Sequence, residues 1–81
     1  MTPGVIVMDL HGKTVFQAQT AIQAQLRRVK AGTYRIRLIH GYHCGTALRE
    51  MIQTVYGKHP QIIRLESAGH DGYTDLVLRE F

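Results

Sequence analysis

The chain has a single cysteine, Cys44, among its 81 residues, so no internal disulfide can form and a reducing interior such as the cytoplasm is the expected location. It has no apolar run near the roughly 18 residues that cross a bilayer, so no membrane-spanning helix is expected. The opening Met1-Thr2-Pro3-Gly4 lacks a basic stretch, an apolar segment and a small-residue cleavage site, and therefore does not read as a signal peptide. There is no internal repeat, linker or low-complexity segment, and a chain this short makes one domain, residues 1–81. Acidic residues are in deficit, six against ten lysines and arginines, which leaves a formal net charge of +4. An excess of that sign attracts polyanions, nucleic acid first among them.

What is present reads as strands alternating with helices. Residues 5–10 are short, rich in β-branched side chains and closed by His11-Gly12, which predicts a strand. Thr14 followed by Gln17 is the capping-box pattern. Val15, Ala18, Ile22, Leu26 and Val29 then recur at steps of three and four, one apolar stripe on a helix that Gly32 ends, with Lys30 in the last turn. Residues 34–39 form a second strand in which Ile36 and Leu38 share one face and Arg35 and Arg37 the other. A strand buried on both faces would not carry two arginines on one of them, so helices are expected on one side of the sheet only. After the loop from His40 to Gly45, Thr46 caps a second helix with Leu48, Met51, Ile52, Val55 and Tyr56 as its stripe and Gly57 as its end. Residues 62–66 and 74–79 are the last strands, antiparallel across a turn-rich loop. With right-handed crossovers, the order βαβαββ predicts an α/β two-layer sandwich, a four-stranded mixed sheet with two helices on one face.

Sites in open α/β sheets form beyond the carboxyl ends of parallel strands. Two such ends carry chemistry here: Asp9, His11 and Lys13 at the first, His40, His43 and Cys44 with Gly41 and Gly45 at the second. Both loops run into helix N-termini, whose N–H groups favour an anion such as phosphate. Imidazoles suit general acid–base work, a carboxylate can fix the tautomer, and Asp9 and His11 share a face if the strand stays extended. Plainer readings stand beside these. Asp9 can simply cap the turn, and His11 and His40 can simply pack between loops. Arg35, Arg37, Arg64 and Arg79 can face nucleic acid, or form a solvated face paired with Glu66 and Asp75. Tyr42 and Tyr73 can stack on bases or fill space. Ile39, Ile62 and Val77 are expected to be exposed on the open face, a surface for a homodimer. The run His40-x-x-His43-Cys44 with His11 matches no common structural zinc spacing, yet leaves a metal-binding or redox-sensing protein as a third reading of the chain.

Three blocks in order, VMDLHGKTVFQA, RIRLIHGYHCGTALRE and AGHDGYTDLVL, together resemble the Smr (small MutS-related) domain family over almost the whole chain. The family's D-L-H-G falls on Asp9, Leu10, His11 and Gly12, its H-G on His40 and Gly41, and its leucine-arginine pair on Leu48 and Arg49. Its last block resembles Gly69, Gly72, Thr74 and Val77. The resemblance implies a two-layer βαβαββ fold and an association with nucleic acid. Members nick DNA and some cleave RNA, and Asp9, His11 and His40 match the residues implicated. The expected function is therefore a nucleic-acid-binding domain with weak DNA or RNA endonuclease activity. In it His11 or His40 serves as acid or base, and Asp9 orients His11 or holds Mg2+ or Mn2+. Phosphate is held by residues among Gly12, Lys13, Gly41, Tyr42, His43, Gly45, Thr46 and Arg49. A non-catalytic binding module is the alternative. The second block departs from the family in having His43 where a glycine is usual, with the next glycine at Gly45.

Overall fold

Alternation decides the sheet. In β2 (Arg35–Ile39) Ile36 and Leu38 are fully buried, whereas Arg35, Arg37 and Ile39 are half-buried on the opposite face. The computed structural model describes residues 4–41, 46–67 and 72–80. Around β2 it assembles β1 (Val5–Asp9), β3 (Arg64–Glu66) and β4 (Tyr73–Val77) in the order β1-β2-β4-β3. β1 runs parallel to β2, while β4 is antiparallel to both β2 and β3. The register puts Ile6, Met8, Ile36, Leu38, Leu65, Thr74 and Leu76 on one face. Val5, Val7, Asp9, Arg35, Arg37, Ile39, Tyr73, Asp75, Val77, Arg64 and Glu66 share the other.

Both helices cover the first face. α1 (Val15–Arg28) begins with the expected capping box, Thr14 Oγ1 accepting from the Gln17 amide at 3.1 Å and Gln17 Oε1 from the Thr14 amide at 3.0 Å. Ala18, Ile22 and Leu26 are its buried stripe, and Val15 at the overhanging first turn is exposed. The helix stops at Arg28, four residues before Gly32, because Val29 turns extended and packs on the core. The side chain of Gln61 donates to the Leu26 carbonyl at 3.3 Å, taking up one of the helix's terminal acceptors. Arg27 and Arg28, not Lys30, thus occupy the last turn.

α2 (Thr46–Met51) is shorter than its apolar stripe suggests, and continues as a π-helical turn over Ile52–Tyr56. Leu48, Met51, Ile52 and Tyr56 are all buried, so the stripe holds although the winding widens. Two strand expectations also need correction. Ile62 precedes β3 in a turn, its amide on the His59 carbonyl at 3.0 Å, and is buried in the helix-side core. Val77 does lie on the open face but is 2% exposed between its cross-strand neighbours Arg35 and Arg64. Of the three apolar residues expected to mark a dimer surface, Ile39 alone retains exposure, and Val7 on β1 is the exposed apolar side chain there. Arg79 lies beyond β4, its amide on the Tyr34 carbonyl, and is not a strand position. No helix among the described residues is long and apolar enough to cross a membrane.

Candidate functional site at the strand ends

β1 ends where Asp9 pairs with Ile39 of β2, and one further bond, from the Leu10 amide to the Ile39 carbonyl at 2.8 Å, keeps the two strands together. Leu10 is buried and anchors the exit. The chain then turns back, Lys13 N–H reaching the Leu10 carbonyl at 3.1 Å, with Gly12 at φ +81°, a left-handed position that glycine fills without strain. This turn throws His11 into solvent beside Asp9. The His11 amide donates to Asp9 Oδ1 at 3.1 Å, and His11 Nδ1 lies 2.5 Å from the same oxygen. A carboxylate only accepts, so Nδ1 carries the proton and Nε2 is the ring's free end. No described residue bonds Nε2. The two side chains are 71% and 56% exposed. The His11 ring, then the His11 amide, hold the Asp9 carboxyl below the ordinary carboxylate value of 3.8, and the charge of Lys13 acts in the same direction.

The second strand end is built differently. His40 continues the inward positions of Ile36 and Leu38 and is 2% exposed. Its Nε2 pairs with Thr74 Oγ1 at 3.0 Å and its Nδ1 faces the Gly41 carbonyl at 3.2 Å. The amides of His40 and Gly41 both donate to the Gly72 carbonyl at 3.0 Å. His40 is thus a buried brace between β2 and β4, both ring nitrogens occupied. Gly41, at φ +83°, is the point where the two motifs meet: a Cβ built there would stand 3.7 Å from Cβ of His11.

The structure therefore brings Asp9, His11, Gly12, Lys13 and Gly41 to one rim and sets His40 beneath it. Arg49 lies half-buried in α2. Tyr42, His43 and Gly45 lie outside the described residues, as does the side chain of Thr46. Thr74 and the Gly72 carbonyl, which fix His40, were not singled out as site residues. Their signal was the alternation of β4, which puts Thr74 on the same face as Leu76 and opposite Leu38. Among the described residues no three His, Cys, Asp or Glu side chains converge on one point. At this rim Asp9 engages His11 through Oδ1.

The open sheet face is occupied by its own ion pairs. Arg35 donates to Asp75 at 2.7 Å and to Glu66 at 2.8 Å, while Arg37 makes two bonds to Asp75 at 2.9 and 3.0 Å. Arg64 binds Glu66 at 2.6 Å and also Glu80. Arg37 further lies 4.1 Å above the Tyr73 ring. The paired, solvated reading holds for Arg35, Arg37 and Arg64. Tyr73 carries Arg37 on its ring.

A two-layer domain with an exposed carboxylate–imidazole pair at the end of its first parallel strand is thus the class defined here. The Smr domain family model matches residues 8–79, and the chain belongs to that family. Its structure is similar to the crystal structure of the Smr domain of Thermus thermophilus MutS2, with a TM-score of 0.80 and 29% identity over 93% of this chain and 99% of that one. Comparison with curated proteins returns no match.

Proposed function

We propose that this Smr domain binds nucleic acid at the rim formed by Asp9 to Lys13 and Gly41, and that Asp9 and His11 cleave a phosphodiester there. The observation that carries the reading is the exposed pair itself, a carboxylate holding Nδ1 of an imidazole whose Nε2 is bonded by no described residue. That arrangement fixes the tautomer in which Nε2 is the base. Nε2 takes a proton from the attacking hydroxyl as the new P–O bond forms, and the displaced oxygen leaves with the electrons of the broken bond, to be protonated from solvent. Lys13 offsets the charge that gathers on the phosphoryl oxygens. Family membership supports the choice of substrate, since Smr domains associate with nucleic acid and some nick it.

One observation favours a binding-only reading. With His40 buried and both its nitrogens engaged, no second exposed imidazole supplies the leaving-group proton among the described residues. His40 then acts as a positioning residue that sets Gly41 against His11.

The test is a nicking assay on supercoiled DNA and on structured RNA, with magnesium, manganese or chelator. Wild type is run beside His11→Ala and Asp9→Asn, each checked for folding by circular dichroism. The expected outcome is cleavage by wild type that both folded variants lose. On RNA, a cyclic phosphate end would mark the neighbouring 2′-hydroxyl as the nucleophile, and a linear phosphate would mark water. Binding without cleavage, or equal cleavage by all three proteins, leaves the binding module as the function.

A further inference from the structure

Phe16 is 78% exposed, the most exposed large apolar side chain among the described residues. It stands in the first turn of α1, five residues after His11 and off the buried stripe of Ala18, Ile22 and Leu26. Thr20, Gln23 and Arg27 follow it at four, seven and eleven residues, which is one line along a helix. With Gln19 these side chains line a shallow groove. At 1.5 Å per residue the backbone under this line advances about 16 Å along the helix axis.

Charge says what kind of partner fits. No acidic residue occurs between Leu10 and Tyr34, a stretch holding Lys13, Arg27, Arg28 and Lys30. The remaining six basic and six acidic residues cancel, so the whole net charge of +4 belongs to α1 and its two flanking loops. No ion pair among the described residues engages those four cations. The groove is otherwise polar, its glutamines offering both donors and acceptors of the kind that meet base edges. A protein partner would want a contiguous apolar patch, and one phenylalanine among Thr20, Gln19 and Gln23 does not make one.

We infer that the outer line of α1 is a platform for an unpaired nucleic-acid strand, with Phe16 stacking on a base next to the reacting phosphate and Arg27 holding the backbone one strand-length away. The inference rests on the nucleic-acid reading of the site above and narrows its substrate to nucleic acid with unpaired bases. A paired base hides its faces in the stack, whereas any unpaired base offers one to an aromatic ring.

Fluorescence anisotropy with a short oligothymidylate, a short oligouridylate and a blunt duplex tests it on the full chain. Stacking of one base is worth about 1–3 kcal/mol, and 1.4 kcal/mol is tenfold. Phe16→Ala is thus expected to weaken single-strand binding about tenfold and duplex binding by less than about twofold. The two single strands separate DNA from RNA as the source of the base. Phe16→Tyr should restore affinity and Phe16→Leu should not. The chain has no tryptophan, so emission from a Phe16→Trp variant reports the contact alone and should be quenched on saturation. No single-strand binding, equal weakening on the duplex, or Phe16→Leu binding as well as Phe16→Tyr would overturn the platform. Phe16-dependent binding without cleavage upholds it and removes the catalytic reading, while cleavage with Phe16-independent binding does the reverse.

Discussion

The open sheet face and the outer face of α1 both carry basic side chains, and they use them in opposite ways. On the sheet, Arg35, Arg37 and Arg64 are each bound to a carboxylate, with Asp75 at 2% exposure as the centre of the network. Their charge is consumed inside the fold. Around α1, Lys13, Arg27, Arg28 and Lys30 face no carboxylate of their own segment. Three arginines on two strands therefore mark a structural device, and four cations on an acid-free helix and its flanking loops mark the surface that a polyanion meets. Pairing, more than number, decides which surface carries the field.

The largest effect expected is on the sheet. Asp75→Ala leaves two guanidiniums against a site that held a buried carboxylate, and should cost ~3 kcal/mol of stability in urea denaturation, the cost of breaking a buried pair by one partner. Its folded fraction should keep its affinity for nucleic acid. His11→Ala should do the converse. It should reduce cleavage by about a hundredfold or more, the scale of general-base loss, and move stability by less than about 0.5 kcal/mol, as an exposed side chain does. If the two variants exchanged these effects, the division of labour between the faces would be wrong.

Salt dependence sharpens the same contrast. Arg27→Ala should lower the slope of log affinity against log salt by about 0.7–0.9 for one lost phosphate contact. Arg64→Ala should leave that slope alone and cost at most about 1 kcal/mol of stability, because its carboxylate partners are partly solvated. The smallest effect is a pH response. Glu66 is held below its ordinary value of 4.5 by hydrogen bonds from Arg64 and then Arg35, and Asp9 is lowered below 3.8 by His11. A lowered folded-state value contributes stability that is present above the ordinary carboxylate range and is lost as pH falls through the lowered one. Stability should therefore be flat with respect to these two groups near neutrality and fall below about pH 4.5, with Glu66→Gln shallower than wild type in acid thermal scans.

Much of this could be read from residue order, and the exceptions have physical causes. Period-two alternation in residues 34–39 was enough to place helices on one face, and Thr14 with Gln17 was enough to start α1, since both patterns are local. Strand geometry at a spacing of two predicts that Asp9 and His11 are neighbours, but β1 ends at Asp9 and it is the turn after it that brings the two side chains together. The end of α1 did not, because Gly32 is the stronger local stop signal and the choice of Val29 as the first extended residue belongs to the core it packs on. Ile62 looked like a strand residue until the turn at His59 folded it under the helices. The burial of His40 was legible in retrospect: it falls two residues after Leu38, on the same inward series. Phe16 belongs to no stripe. An aromatic side chain that fits neither the buried face nor the polar pattern of an amphipathic helix is itself a signal.

Backbone amide shifts, followed while a short single strand is added to the labelled protein, test the central claim most directly. The account predicts that the perturbed amides lie in residues 9–30 and at Gly41, with those of Arg35, Arg37, Arg64 and Asp75 unmoved. Perturbations gathered on β2, β3 and β4 instead would put the nucleic acid on the ion-paired sheet face and contradict it.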